Sequence, residues 1–291
     1  MARATRIITG DLWFGEGPRW RAGRLWFSDF GEQAIRSVSP GGDVRTELAL
    51  AGSRPSGLGW TPAGELLFVS MDRGQVGRLA ADGSVHTHAD LSGLSRWPWN
   101  DMVVDKAGRA YVGEFGFDFN ADMAARGLPA VVADHPSAQL VCVQPDGAVE
   151  IAAADMHFPN GSVITQDGGT LIVAETLGCR LTAFDIGRDG RLSNRRTWAP
   201  LGKRLPDGIC LDADGAVWFA NPDAPECVRV AEGGKVLEVI ETGLPCFACM
   251  LGGDDGRDLF MLTASWGAPG VAPTKGRIVT ARVEAPHAGW P

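Results

Sequence analysis

Residues 22–27 read AGRLWF, which is a glycine turn followed by a short run of apolar and aromatic residues. Five similar stretches follow along the chain, at residues 63–68 (AGELLF), 107–112 (AGRAYV), 168–173 (GGTLIV), 214–219 (DGAVWF) and 256–261 (GRDLFM). Glycine supplies the positive φ that a tight hairpin needs, and the apolar run after it is typical of a strand. The sequence therefore predicts a hairpin unit that is repeated six times.

The turn glycines recur at a nearly constant spacing. They are separated by 41, 44, 60, 47 and 41 residues, at Gly23, Gly64, Gly108, Gly168, Gly215 and Gly256. A period of this size, with a second glycine turn inside most units, is typical of four-stranded propeller blades. We therefore predict an all-β, six-bladed β-propeller with four antiparallel strands per blade, forming a single domain over residues 1–291.

Two irregularities in the repeat lead to further predictions. The last unit lacks a complete fourth strand, whereas residues 5–9 (TRIIT) form a spare strand before the first unit. We predict that this N-terminal strand closes the last blade. The excess of the long period falls within residues 115–138, which we predict to be an inserted loop. A lid and a surface excursion without function both remain open for this loop.

Composition and charge restrict the partners of the protein. The chain has 291 residues and a formal net charge of −8, and its 27 basic residues are not clustered. We therefore expect no nucleic-acid or membrane partner, but a small-molecule substrate and a monomer or weak homodimer. Because no membrane span or signal-peptide core is present, we expect a cytoplasmic protein whose six cysteines are reduced.

The first strand of each predicted blade lines the central channel, so aligned residues of successive units should meet on one axis. Four of the six units place a carboxylate or carboxamide there, namely Glu16, Asn100, Asn160 and Asp207. Converging carboxylates repel each other unless a cation neutralises them. Oxygen ligands suit Ca²⁺ as the first choice, with Mn²⁺, Mg²⁺ or Zn²⁺ as alternatives. Asn-Gly and Asp-Gly pairs also form ordinary turns, but four such positions in register favour a site.

The same positions carry a family resemblance. The motifs GEGP (15–18), ND (100–101), PNG (159–161) and PDG (206–208), in this order and spacing, resemble the SMP-30/gluconolactonase/luciferin-regenerating-enzyme (regucalcin-like) family over roughly residues 10–285. The resemblance implies a six-bladed propeller whose metal is held by Glu16, Asn160 and Asp207. It also implies that Asn100 faces the substrate and that Asp207 is the general base. Members of this family hydrolyse sugar lactones, and some branches hydrolyse other esters or phosphotriesters.

One position departs from the family pattern. Members that act on sugar-acid lactones often carry arginine two residues before the ND asparagine, where this chain has Pro98. Specificity for sugar acids is therefore not expected. As substrate-binding residues we predict Asn100, Trp99, Glu114 and Phe115. The alternatives are that the tryptophan belongs to the blade core and that Glu114 lies at the surface.

These residues predict a metal-dependent lactonase or esterase in which water opens a lactone or related ester. Asp207 and Asn100 are the predicted catalytic residues, as proton acceptor and as substrate-orienting or oxyanion-stabilising group. A Gly-x-Ser-x-Gly motif is absent from the sequence, so we do not expect a serine nucleophile. Two alternatives are a calcium-binding regulatory propeller without turnover and a phosphotriester hydrolase at the same metal.

Overall fold

The computed structural model describes residues 3–265 and 275–291, and within them 24 strands form six antiparallel sheets of four strands. The first strand in the chain, β1 (Arg6–Leu12), belongs to the sixth sheet. The first three sheets consist of β2 (Gly15–Arg21), β3 (Arg24–Asp29), β4 (Ala34–Val38), β5 (Val44–Ala49), β6 (Pro55–Trp60), β7 (Leu66–Ser70), β8 (Gln75–Leu79), β9 (Val85–Asp90), β10 (Trp99–Val104), β11 (Ala110–Glu114), β12 (Ala138–Val143) and β13 (Val149–Met156). The remaining strands are β14 (Pro159–Ile164), β15 (Thr170–Glu175), β16 (Arg180–Ile186), β17 (Leu192–Pro200), β18 (Ile209–Leu211), β19 (Val217–Asn221), β20 (Glu226–Val230), β21 (Val236–Glu241), β22 (Cys246–Gly252), β23 (Asp258–Thr263) and β24 (Gly276–Arg282). The predicted six-bladed propeller is confirmed.

Each of blades 1 to 5 consists of four consecutive strands, and blade 6 closes the ring. Its strand order is β22-β23-β24-β1, so the N-terminal strand pairs with the C-terminal one. Ile7 on β1 lies opposite Val279 on β24, and Leu12 is buried in the core beside blade 6. The predicted closure is therefore confirmed. It provides a partner for the free edge that β24 would otherwise expose.

The first strands of the blades are the most enclosed. All residues of β10, β14 and β22 are buried, because each strand lies between the channel axis and the adjoining blades. Large side chains of the second strands, such as Phe27, Trp218 and Phe260, fill the space between blades. Burying each such side chain contributes about 1.5–3 kcal/mol, so packing between blades holds the first strands in place.

The inserted segment is not the loop that we predicted, because it contains two short helices. They are α1 (Phe119–Arg126) and α2 (Leu128–Ala133). Asp118 caps α1, since its side chain accepts a hydrogen bond from the Ala121 N–H at 3.0 Å. Val131 on α2 is fully buried, so the helical hairpin packs against the propeller. No helix in the described ranges is long and apolar enough to cross a membrane.

All six cysteines are free thiols, and five of them are buried. Cys246 and Cys249 both lie on β22 inside the core between blades 5 and 6. Cys249 Sγ lies 3.9 Å from Cys210 Sγ, which is the distance of a weak thiol hydrogen bond and too long for a disulfide bond. The cysteines are therefore reduced, as predicted, and the buried ones pack as small groups in the core.

Candidate functional site

One residue from each blade meets around the channel axis. Because every blade repeats the same strand order, the first strands run in the same direction and begin at the same end of the channel. The residues at or just before these strand starts form what we call the central ring, which consists of Glu16, Ser56, Asn100, Asn160, Asp207 and Phe247. Apart from Glu16, which keeps an edge accessible to solvent, all of them are buried. The four polar residues predicted from the sequence are therefore brought together.

A chain of hydrogen bonds orients the amides of the central ring. Ser56 Oγ donates to Asn100 Oδ1 at 3.1 Å, and Asn100 Nδ2 donates to Asn160 Oδ1 at 3.2 Å. Asn160 Nδ2 donates to Thr176 Oγ1 at 3.2 Å, and this hydroxyl donates to the Pro206 carbonyl at 2.7 Å. The amide oxygen of Asn160 is therefore turned toward Asn100, and its nitrogen is turned toward the adjoining strand.

Glycines after two of the ring residues keep the channel narrow. A Cβ on Gly161 would lie 2.5 Å from the Ile209 nitrogen, and one on Gly208 would lie 2.7 Å from Ala248 Cα. Any larger residue would therefore force neighbouring first strands apart. Gly161 lies inside β14 and not in a hairpin turn, so turn formation does not explain the Asn-Gly pair at this position.

The carboxylates around the axis oppose each other's ionisation. Burial and the charges of Asp207 and Asp101 raise the pKa of Glu16 well above its usual range. Burial and the charge of Asp101 also raise the pKa of Asp207 well above its usual range, although a hydrogen bond from Asn160 opposes this rise. Three carboxyl groups therefore share one buried region, and ionising all of them requires compensating positive charge.

Arg19 provides part of that charge. Its Nη2 lies 3.2 Å from Asp101 Oδ1, and both side chains are buried. The guanidinium also donates from Nε to the Leu58 carbonyl at 2.9 Å, from Nη1 to the Pro18 carbonyl at 2.8 Å, and from Nη2 to the Met102 carbonyl. Arg19 thus links the first three blades and neutralises Asp101.

The two remaining carboxylates, Glu16 and Asp207, have no such partner. Asp207 Oδ1 is buried without a hydrogen-bond partner among the residues that the structure describes. In residues 3–265 and 275–291, no group of three His, Cys, Asp or Glu side chains is placed to hold a metal ion. A metal at the ring would therefore need the amide oxygen of Asn160 beside the two carboxylates. This donor set and its two uncompensated charges fit a hard divalent cation.

Glu114 belongs to a different set of residues. The second strand of each blade ends on a buried polar residue, and the six are Asp29, Ser70, Glu114, Glu175, Asn221 and Thr263. Several of them bind the adjoining loops. Asp29 accepts from the Trp13 and Phe14 N–H groups, and Glu175 accepts from the His157 N–H. Burial raises the pKa of Glu114, against hydrogen bonds from Ser95 and Gln139. These contacts tie Glu114 to Ser95 before β10 and to Gln139 on β12, while its Oε2 is buried without a hydrogen-bond partner among the described residues.

The two aromatic residues predicted to contact substrate, Trp99 and Phe115, lie in different surroundings. Trp99 is fully buried in the core between blades 2 and 3, with Leu67 and Val69. Its indole packs in this apolar core, whereas the Asn100 side chain is held at the central ring by hydrogen bonds with Ser56 and Asn160. The predicted contact of Trp99 with substrate is therefore not supported, and the blade-core alternative fits its position. Phe115 is only partly buried and lies at the end of the channel that carries the ring.

Four further residues complete this region and were not predicted from the sequence: Arg19, Ser56, Thr176 and Phe247. Ser56 and Phe247 occupy aligned repeat positions, so the repeat register could have identified them. Arg19 is a buried arginine on β2, which is an unusual placement that only the folded structure reveals. Thr176 follows a different strand from the ring residues, and only the folded chain brings it to Asn160.

Known proteins share both the sequence pattern and the fold. The family described as SMP-30/Gluconolactonase/LRE-like region matches residues 14–265. Regucalcin from Danio rerio is 29% identical over 199 residues, which cover 66% of this chain and 63% of that protein. Regucalcin from Gallus gallus is 29% identical over 174 residues, which cover 58% of this chain and 55% of that protein. The match thus spans less than two thirds of the length of either relative.

Solved structures repeat the architecture over nearly the whole chain. A luciferin-regenerating enzyme aligns with a TM-score of 0.82 at 17% identity, covering 99% of this chain and 98% of that chain. A calcium-binding protein, regucalcin, from Agrobacterium tumefaciens aligns with a TM-score of 0.79 at 21% identity, covering 99% and 97%. A gluconolactonase from Xanthomonas campestris aligns with a TM-score of 0.76 at 23% identity, covering 97% and 90%. At these identities the structures bear on the fold alone. Through its match over residues 14–265, the chain belongs to the SMP-30/gluconolactonase/LRE-like family.

Proposed function

We propose that this protein is a metal-dependent hydrolase that uses water to open a lactone or a related ester. One observation carries the proposal. Glu16 and Asp207 are two carboxylates that form no salt bridge with the described residues, and an oxygen of Asp207 is buried without a hydrogen bond. Such an arrangement is costly in a folded protein unless it serves a ligand or a reaction. Membership in a family that contains gluconolactonases supports hydrolysis as the reaction.

Glu16, Asn160 and Asp207 are the residues that would hold the metal. When bound, the cation would supply positive charge that polarises the ester carbonyl and lowers the pKa of a water molecule. Carboxylate and amide oxygens make Ca²⁺ the first choice, and Mn²⁺, Mg²⁺ and Zn²⁺ are the alternatives. No imidazole occupies a central-ring position, which disfavours Zn²⁺.

The protein's own groups would handle the proton and the substrate. Asp207 is the proposed general base, because its Oδ1 has no competing donor and can accept a proton from the attacking water. Asn100 is the proposed orienting group. One N–H of its amide is used by Asn160, and the second is available to the carbonyl oxygen, where negative charge develops. Ser56 holds the Asn100 amide in this orientation.

Calcium binding without turnover is the second candidate. The curated relatives are named regucalcin, and one structural neighbour is described as a calcium-binding protein. The same three residues would hold the ion in either case, so residue identity alone does not separate the two functions. Turnover separates them.

The test is hydrolysis of sugar, aliphatic and aromatic lactones by metal-stripped protein, before and after Ca²⁺, Mn²⁺, Mg²⁺ or Zn²⁺ is restored. We expect turnover only with metal, and a loss of about 10³-fold or more in kcat for Asp207→Asn. Asp214→Asn is the matched control, because Asp214 lies in the same blade but is exposed and paired with Arg229.

Two results would redirect the proposal. Metal binding without hydrolysis of any lactone or phosphotriester would favour the calcium-binding alternative. Hydrolysis of phosphotriesters alone would keep the metal centre and replace the substrate class. Undiminished turnover by the metal-stripped protein would contradict the proposed mechanism itself.

A further inference from the structure

Phenylalanine rings flank the central ring on the side of blades 3 and 4. Phe158 directly precedes Pro159 and Asn160, and its ring centroid lies 4.6 Å from that of Phe115 and 4.9 Å from that of Phe119. Phe115 follows the last residue of β11, and its N–H donates to the Pro98 carbonyl at 3.0 Å. The group therefore lies at the end of the channel where β10 and β14 begin, next to the Asn100–Asn160 pair.

A second group of phenylalanines lies across the channel, on blades 6 and 1. Phe247 occupies the central-ring position of blade 6, where four other blades place a carboxylate or carboxamide. Its ring centroid lies 4.6 Å from that of Phe14, which in turn lies 5.4 Å from that of Phe30. In a ring of six blades, blades 6 and 1 face blades 3 and 4. Apolar rings thus stand on opposite sides of the polar centre.

The blade 3 and 4 group is held in place by the helical hairpin. His135, after α2, contacts His157 through Nε2 and Nδ1 at 3.0 Å, and its own Nδ1 lies 2.9 Å from the Val131 carbonyl. Because a carbonyl only accepts, His135 Nδ1 is the donor to Val131, and the second ring nitrogen is left for the hydrogen bond with His157. This contact ties the hairpin to the residues that lead into Phe158. Phe119, at the start of α1, is therefore presented on a fixed element and remains partly exposed.

The amide and hydroxyl groups of the central ring are mostly bonded to each other, which leaves one Asn100 N–H and Asp207 Oδ1 for the ester group. Ser56, Asn100 and Asn160 form one hydrogen-bonded chain, and Pro98 has no side-chain donor. A polyhydroxylated lactone loses its hydrogen bonds to water on binding and needs replacements, whereas an aryl or alkyl substituent gains from burial against phenyl rings.

From this arrangement we infer that the site selects lactones or esters that carry an aromatic or bulky apolar substituent, and that Phe119 is a specificity-determining residue. This inference rests on the proposed hydrolytic function, but concerns only which substrate enters the site. The substituent would lie against the partly exposed rings of Phe115 and Phe119, which pack on the buried Phe158, with the ester group at the polar centre.

The test compares three δ-lactones with the metal-loaded protein: unsubstituted, phenyl-substituted and polyhydroxylated. We expect kcat/KM for the phenyl-substituted lactone to exceed that for the polyhydroxylated one by at least about tenfold. Phe119→Ala should lower kcat/KM for the phenyl-substituted lactone about tenfold and change that for the unsubstituted lactone less than about twofold. Phe119→Leu keeps apolar bulk and protects the fold. Its kcat/KM for the phenyl-substituted lactone should lie between those of the wild type and Phe119→Ala. Ile151→Ala, an exposed apolar position on an outer strand of blade 3, should change neither value.

Binding of the corresponding lactams, measured by titration calorimetry, provides a readout that needs no turnover. If no lactone is hydrolysed but the phenyl lactam binds more tightly than the hydroxylated lactam, the apolar site stands and the hydrolase proposal fails. If the polyhydroxylated lactone is the better substrate, or Phe119→Ala affects all three lactones equally, the inference about substrate class is overturned and the hydrolase proposal stands.

Discussion

At the scale of single residues, Asp207 occupies a position where an ionised carboxylate is costly. It is buried, it lies near Asp101 and Glu16, and one of its oxygens has no hydrogen-bond partner in the described part of the chain. Arg19 compensates Asp101, but the structure shows no comparable partner for Asp207 in the same ranges. The residue thus has a stability cost in the metal-free protein that bound positive charge would remove.

This cost predicts the behaviour of Asp207→Asn. In the presence of a chelator, the variant should be more stable than the wild type by about 1–3 kcal/mol, because one uncompensated buried charge is gone. Added Ca²⁺ should stabilise the wild type and leave the variant unchanged. Urea unfolding with and without Ca²⁺ measures both effects, and Asp214→Asn serves as control. A metal-free Asp207→Asn protein that is less stable than the wild type would contradict this account of the charge.

Glu175 is a buried carboxylate in the opposite situation. Burial opposes its ionisation, but hydrogen bonds from Arg180, Thr182 and the His157 N–H overcome this and lower its pKa. Arg180 Nε lies 2.9 Å from Glu175 Oε1, and the His157 nitrogen lies 2.7 Å from Oε2. Ionised Glu175 is therefore a stabilising group.

The sign of its pH dependence follows from the lowered pKa. Since the folded-state pKa lies below the unfolded value of about 4.3, the stabilisation is present above about pH 4.3 and is lost as pH falls through the folded-state pKa. Glu175→Gln should lower the free energy of unfolding by about 3 kcal/mol at pH 7. The free energy of unfolding of this variant should also fall less steeply between pH 7 and pH 3 than that of the wild type. Urea unfolding from pH 7 to pH 3 measures the difference, with exposed Glu150→Gln as control. An equally steep acid loss in both variants would rule out this role for Glu175.

The sequence repeat determined which site residues could be predicted. Glu16, Asn100, Asn160 and Asp207 occupy one repeat position, so six-fold register alone brings them together. Glu114 and Trp99 were selected because they lie near Asn100 in sequence, and proximity in sequence does not determine direction. Trp99 packs into the core between blades 2 and 3, and Glu114 accepts hydrogen bonds from Ser95 and Gln139.

At the scale of elements, strand β1 lies far from the other strands of blade 6 in the sequence but pairs with them in the structure. It supplies the fourth strand of blade 6, and Leu12 packs into the core while Ile7 stays 56% exposed. A spare strand at one end and a missing strand at the other were enough to predict this closure. The hairpin α1–α2 was not predictable in the same way, because helices of eight and six residues are too short to show a clear helical period.

The closure predicts a contrast between two substitutions on one strand. Leu12→Ala should lower the free energy of unfolding by about 2–4 kcal/mol, because it leaves a cavity in the core beside blade 6. Ile7→Ala should change it by less than about 0.5 kcal/mol, since its side chain is mostly in solvent. Urea denaturation compares the two variants directly. Equal effects would show that β1 does not contribute to the core in solution.

At the scale of the whole molecule, the candidate centre exists only when the propeller is closed. Glu16 comes from blade 1, Asn160 from blade 4 and Asp207 from blade 5, while Arg19 joins blades 1, 2 and 3 through its hydrogen bonds. The repeat therefore does more than fill a core. It brings one side chain from each blade to a common axis, and glycines such as Gly161 allow the first strands to approach closely.

The most direct test of the central claim is lactone hydrolysis measured against bound metal. Metal-stripped protein is titrated with Ca²⁺, and the initial rate and the bound metal per chain are determined at each step. The account predicts that the rate rises in proportion to bound metal and reaches its plateau at one ion per chain. A rate that is complete before metal binds, or that stays at zero when the site is filled, would contradict it.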